Sequence, residues 1–186
     1  MIGLKRGTVQ LFEHEKEWEL EAQRTIENLW RILGSTAKDI QHVGSTSILS
    51  IKAKPIIDIA VAVDDFKEIL ALEDELKNVG FYYRPSKIDN QLLFACGSLY
   101  DGTGDLQTHF IHVVITNSKE WQNYINFRNY LNKTPEEAKA YEELKVSLAA
   151  AAPIDAGREK YLAGKHDFIT HILEIAMIYF TSYEHP

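Results

Sequence analysis

The chain has 186 residues, 25% of them charged and 45% hydrophobic, with a formal net charge of −7. That length supports one domain, residues 1–186, with a continuous core and no need of disulfides or structural metal. The negative balance excludes broad, sequence-independent binding to nucleic acid, which draws on a positive surface, but not a small anion held by a few local cations.

No apolar run approaches the roughly 20 residues that span a bilayer, so no membrane partner is expected. The opening MIGLKRGTVQLFEHEKEW has no sustained apolar core of the kind a signal peptide carries. Cys96, the single cysteine, cannot pair within the chain, which agrees with a reducing, cytoplasmic setting. In its LLFACGS context it reads as a small buried hydrophobe.

In chain order, Trp18, Ala22, Ile26, Leu29, Trp30 and Leu33 fall at helical spacing, which predicts an amphipathic helix over residues 12–33 closed by Gly34. Residues 39–43 read as a short strand running into Gly44-Ser45-Thr46-Ser47, where small residues and hydroxyls favour a tight turn. After Pro55, residues 56–63 form an apolar strand interrupted by one carboxylate, Asp58; apolar on both faces, it is expected in the middle of the sheet. Asp64-Asp65 caps a helix that runs to Gly80. Residues 81–84 form an edge strand, and residues 91–97 and 106–116 a hairpin around SLYDGTGD. The rest is helical: residues 118–131, then a helix from a capping Thr134 with Pro135 at its first position to about residue 151, a break at Pro153, and one long helix over residues 158–179.

The turn and Asp58 carry the chemistry. A glycine lets a ligand approach the backbone, and amides at a strand-to-helix turn converge on anionic oxygens. Gly44, Ser45, Thr46 and Ser47 thus read either as a phosphate cradle or as ordinary hydroxyl capping; Walker and dinucleotide glycine patterns are absent. An ionised Asp58 inside an apolar strand costs several kcal/mol unless paired or holding a cation. It reads as a ligand of a divalent cation such as Mg2+, or as a carboxylate neutralised by Lys52 or Lys54, and Lys54 serves equally as a phosphate contact.

These residues carry a resemblance. Residues 44–61, GSTSILSIKAKPIIDIAV, preceded by His42, are similar to the signature of the GrpB-like family of predicted nucleotidyltransferases. The resemblance continues through Thr108-His109-Phe110-Ile111-His112-Val113, Phe127-Arg128-Asn129-Tyr130-Leu131, Tyr141-Glu142-Glu143-Leu144-Lys145, and Tyr161 with Lys165, nearly the whole chain. It implies an α/β (α+β) fold with a mixed sheet flanked by helices and a helical C-terminal half. It also implies a nucleotide or other phosphorylated small molecule as ligand, with Mg2+ at Asp58 and nucleotidyl transfer as the reaction. The catalytic candidates are Asp58 and His112. His42, Arg128, Lys145, Tyr161 and Lys165 are candidate substrate contacts, the lysines being open also to snorkelling or acid pairing.

Departures temper that chemistry. Active relatives carry a second carboxylate two residues after the first, where this chain has Ala60. A third is expected on a neighbouring strand, where His109 and His112 stand. Three residues apart on a strand, those histidines face opposite ways, so one at most joins Asp58, and His112 is assigned to it. Asn129 replaces an acid. A domain of this kind also occurs fused behind dephospho-coenzyme A kinase, which makes a non-catalytic binding or regulatory module the alternative function. A protein-interaction domain would instead expose a large apolar patch.

Overall fold

The computed structural model describes residues 1–85, 88–152 and 158–183. Its centre is a five-stranded mixed sheet built from β2 (Ala37–Val43), β3 (Ile57–Val63), β4 (Tyr82–Arg84), β5 (Gln91–Cys96) and β7 (His109–Ile115) in the order β2-β3-β7-β5-β4. The pair β3–β7 is parallel and the other three pairs are antiparallel. A second, two-stranded ladder joins β1 (Leu4–Lys5) to β6 (Leu106–Gln107). The mixed α+β architecture expected from the sequence is therefore present, with β3 in the interior of the sheet beside the middle strand β7, and β4 at an edge.

Strand alternation gives β3 two distinct faces. Ile57, Ile59, Val61 and Val63 pack with Trp18, Ala22, Leu29 and Leu33 of α1 (Lys16–Leu33), with Ile69 of α2 (Phe66–Leu70) and with Leu76 of α3 (Glu73–Asn78). On the opposite face, Ala60 and Ala62 pack with Val43, Val114 and Trp121 of α5 (Lys119–Lys133), α4 being the short helix Ser98–Asp101. Two alanines in a row let α5 lie close on the sheet. A third cluster ties α5 to α6 (Pro135–Ala151) and α8 (His166–Tyr183) through Leu131, Ala138, Tyr141, Ile172 and Ala176, and includes Ile48 and Ile51 of the segment before β3.

Several boundaries differ from the sequence reading, each for a tertiary reason. The first helix starts at Lys16, because Phe12 is drawn into a bridge with Ala53, exchanging backbone hydrogen bonds of 2.8 and 2.9 Å. The helix after Asp65 is two, α2 and α3, with Leu72 between them turned into the core. The hairpin loop itself folds, forming α4 and β6. Thr134 does not cap α6 with its side chain; its hydroxyl donates to the Tyr130 carbonyl at 2.7 Å. The expected long last helix is α7 (Arg158–Gly164) followed by α8, broken at Lys165. Gly164 sits against α6 so tightly that a Cβ there would lie 2.4 Å from Leu148 Cδ2. The stop expected at Pro153 lies outside the described residues. Among the described residues no helix is long and apolar enough to cross a membrane.

Trp121, 8% exposed, is the lid on the Ala60 row. Trp121→Ala is expected to lower unfolding free energy by about 3–5 kcal/mol, read from the urea midpoint at unchanged slope.

Candidate functional site

The turn before β3 is shaped by Gly44. Its φ of 72° and ψ of −169° belong to a region that side chains avoid, and a Cβ there would stand 2.6 Å from Asp58 Oδ2. The glycine is what lets the chain pass over the carboxylate. The three hydroxyls that follow have different duties. Ser47 Oγ donates to the Gly44 carbonyl at 2.6 Å, and Thr46, buried, lies 2.9 Å from His42 Nε2 and donates to the Ile56 carbonyl at 3.5 Å. Ser45 alone of the three lines the cleft beside Asp58, 3.4 Å from the Tyr141 hydroxyl. The cradle and capping readings thus divide by residue.

Parallel register sets Asp58 beside Phe110 and Ala60 beside His112, and His112 Nε2 reaches Asp58 Oδ1 at 3.0 Å. Among the described residues His112 Nδ1 has no hydrogen-bond partner, and it is buried. A bare acceptor costs less than a bare donor, so the proton belongs on Nε2, which donates to the carboxylate. The ring packs on Tyr124 at 5.0 Å between centroids, and the Tyr124 hydroxyl donates to Gln91 Oε1 at 2.9 Å. Tyr124 and Gln91 escaped the sequence reading, since a polar residue on a helix or strand gives no sign of which neighbour it will orient. His109 faces the other way, between Thr25 Oγ1 (3.2 Å) and Thr108 Oγ1 (2.9 Å), and burial lowers its pKa.

The cleft has a volume of about 320 Å³. Its polar lining is Ser45, Lys54, Asp58, His112, Tyr161 and Lys165, and its apolar wall comes from Ile56, Ile88, Leu93, Phe110 and Leu162. Lys165 Nζ lies 4.6 Å and Lys54 Nζ 5.3 Å from the centroid of the Tyr161 ring. Two segments more than 100 residues apart therefore bring their ammonium groups to one aromatic ring, whose quadrupole offsets part of their repulsion. Lys52 turns away to pair with Glu13 at 3.0 Å.

Three expected substrate contacts are placed elsewhere. Lys145 has no exposed surface and is enclosed behind the cleft, its Nζ donating to the Lys52 carbonyl and lying 4.6 Å from the Tyr141 ring centroid. Burial, and secondarily the charge of Lys165, brings its pKa from 10.5 down to about 7. Burial also pushes the Tyr141 hydroxyl up to about 12. His42 and Arg128 line a separate groove, because His42 alternates with Val43 and points away from the Asp58 side. Burial brings the His42 imidazole down to about 4.

The donors do not fit a two-metal centre. Among the described residues no three His, Cys, Asp or Glu side chains group around one point. Asp58 shares an oxygen with His112, and the next same-face position is Ala60, wholly buried under Trp121.

A family model described as GrpB protein matches residues 8–174. The chain belongs to the GrpB family. It is 38% identical over 175 residues to the glutamate-rich protein GrpB of Alkalihalophilus pseudofirmus, covering 93% of this chain and 98% of that protein. The crystal structure of the conserved protein GrpB from Enterococcus faecalis superposes with a TM-score of 0.82 at 29% identity, covering 92% of this chain and 99% of that one. Structures of the Cid1 poly(U) polymerase align at a TM-score of 0.49 and 15% identity over 72% of this chain, too distant to carry an argument. In this GrpB-family chain Asp58 of β3 shares its cleft with a histidine and two lysines.

Gly44→Ala forces both a strained backbone and a contact with Asp58. It is expected to cost at least about 1–3 kcal/mol from the backbone alone, measured by urea unfolding. The Lys145 shift has a definite sign. Unfolded, the amine keeps its proton to about 10.5, whereas folded it releases it near 7, so between these values the unfolded state binds more protons. Stability is expected to rise with pH by up to about 1.4 kcal/mol per unit above pH 7, relative to Lys145→Met. Paired urea titrations from pH 7 to 9 check this.

Proposed function

We propose that the cleft binds a phosphorylated small molecule, a nucleotide being the favoured class, without transferring a nucleotidyl group. The observation that carries this reading is the convergence of Lys54 and Lys165 on Tyr161, beside the Ser45 hydroxyl and in the same cleft as Asp58. Ammonium groups are point charges suited to phosphate oxygens, and the hydroxyl adds a neutral donor. The apolar wall of Leu93, Phe110 and Ile88 suits a flat or apolar group such as a base. Asp58, held by His112, accepts a hydrogen bond from a ligand hydroxyl or amine.

Nucleotidyl transfer with Mg2+ is the reading implied by the family resemblance, and the buried Ala60 weighs against it. A magnesium ion here would rest on Asp58 and on the ligand's own phosphates, and the described residues lining the cleft offer it no second carboxylate. The binding reading needs no metal, because the lysines oppose the phosphate charge.

Thermal unfolding with nucleoside mono- and triphosphates, each with Mg2+ or with EDTA, tests it. A ligand at a hundred times its Kd adds about 2.7 kcal/mol, which for a chain of this length raises Tm by about 5–10 °C. The rise is expected in EDTA as well, and is expected to vanish in Lys54→Met/Lys165→Met. A Tm unmoved by every phosphorylated compound would sink the proposal. Label moving from an α-phosphate-labelled triphosphate to an acceptor would restore the transferase reading.

A further inference from the structure

The groove that takes His42 and Arg128 opens at the β2 edge of the sheet, between α1 and α5, with a volume of about 260 Å³. Its polar lining is Glu19, Gln23, His42, Ser47, Arg128 and Asn132. Arg128 is half-buried and rigidly held: Nε donates to Asn129 Oδ1 at 2.9 Å, and Nη1 donates to Gln41 Oε1 at 3.0 Å and to the His42 carbonyl at 2.9 Å. Each of these acceptors is neutral. They satisfy hydrogen bonds and fix the plane of the guanidinium but bring no negative charge into contact with it, and Nη2 donates to none of the described residues.

No carboxylate among the described residues lies within 4 Å of that guanidinium. Burial works against its charge, and Asp39 is the acid that acts in its favour from a distance. Glu19, on the α1 wall, is engaged by His14 Nε2 at 3.4 Å and Lys16 Nζ at 3.5 Å. A partly desolvated cation with no carboxylate in contact is costly, and a planar fork anchored on one side is already arranged for two oxygens on the other.

We infer that this groove is a second anion site, separate from the Asp58 cleft, in which Arg128 receives the oxyanion of a small carboxylate or phosphate compound. Asn132 supports it from the same helix: its side-chain amide donates to the Ser47 carbonyl (2.9 Å), and its Oδ1 accepts from the Leu49 amide (3.1 Å). That fixes the turn forming the groove's floor. The turn is shared, for Ser47 lines the groove while Ser45 lines the cleft.

The test is an NMR titration of the full chain with inorganic phosphate and, separately, with acetate, following the Arg128 Nε–H and Asn132 side-chain amide resonances. A saturable shift is expected with at least one anion, the tighter one naming the class. It is expected unchanged in Lys54→Met/Lys165→Met and lost in Arg128→Gln. Gln23→Glu, an exposed change on the groove wall, covers the case in which the arginine variant fails to fold. It is expected to weaken the anion about tenfold by like-charge repulsion while leaving ligand-induced Tm shifts from the cleft intact. The inference is overturned if neither anion gives a saturable shift at the groove, or if the shift disappears when the cleft lysines are replaced. The second result leaves the cleft proposal standing.

Discussion

Trp121 packing on Ala60, Ala62 and Val114 divides one face of the sheet into a sealed half and an open half. The two alanines allow a helix to sit where larger side chains would hold it off, and the helix then dries that part of the face. Asp58 and Phe110 lie at the other end of the same rows, and His112 stands at the boundary with its ring packed on Tyr124 of α5. They are left to form a cleft walled by α7. The site is therefore what the helical layer leaves uncovered, and its shape depends on how far α5 extends over the strands.

The helical layer also holds the segment that carries Lys54. Residues 48–54 contain no strand or helix of their own beyond the bridge at Ala53, so their backbone groups need partners from elsewhere. Asn132 takes the Ser47 carbonyl and the Leu49 amide, Glu142 takes the Lys52 amide, and Lys145 takes the Lys52 carbonyl. Lys145 thereby helps to position Lys54 while remaining out of reach of any ligand. A buried ammonium with a near-neutral pKa is an expensive strut, and it makes the order of this segment dependent on α6.

Much of this was legible in the residues. A lone acid in an apolar strand demanded an explanation because burying charge is costly, and that led to Asp58. Strand alternation alone separates His109 from His112, and the family resemblance points to Lys165. What could not be read depends on contacts between distant segments. Nothing local announces that Phe12 bridges Ala53, that Gly164 is pressed against Leu148, or that Lys145 ends without solvent. His42 sits two residues from Gly44, yet without the pairing register its direction was not available. Adjacency in the chain suggested one site, and the sheet distributes those residues between two openings.

The seal over Ala60 bears on how such a chain can change over generations. An acid at position 60 would enter a space with no solvent and an indole above it, so a single Ala60→Asp step carries an uncompensated charge worth several kcal/mol, a large part of the stability of an ordinary domain. A viable route to a paired-carboxylate centre would first have to retract or shrink Trp121, at a cost to the core and with no gain until the acid arrived. The two steps penalise each other's absence. While α5 rests on the alanine row, an acid at position 60 is hard to acquire, and chains sharing this packing are channelled toward uses of the cleft that need one acid only.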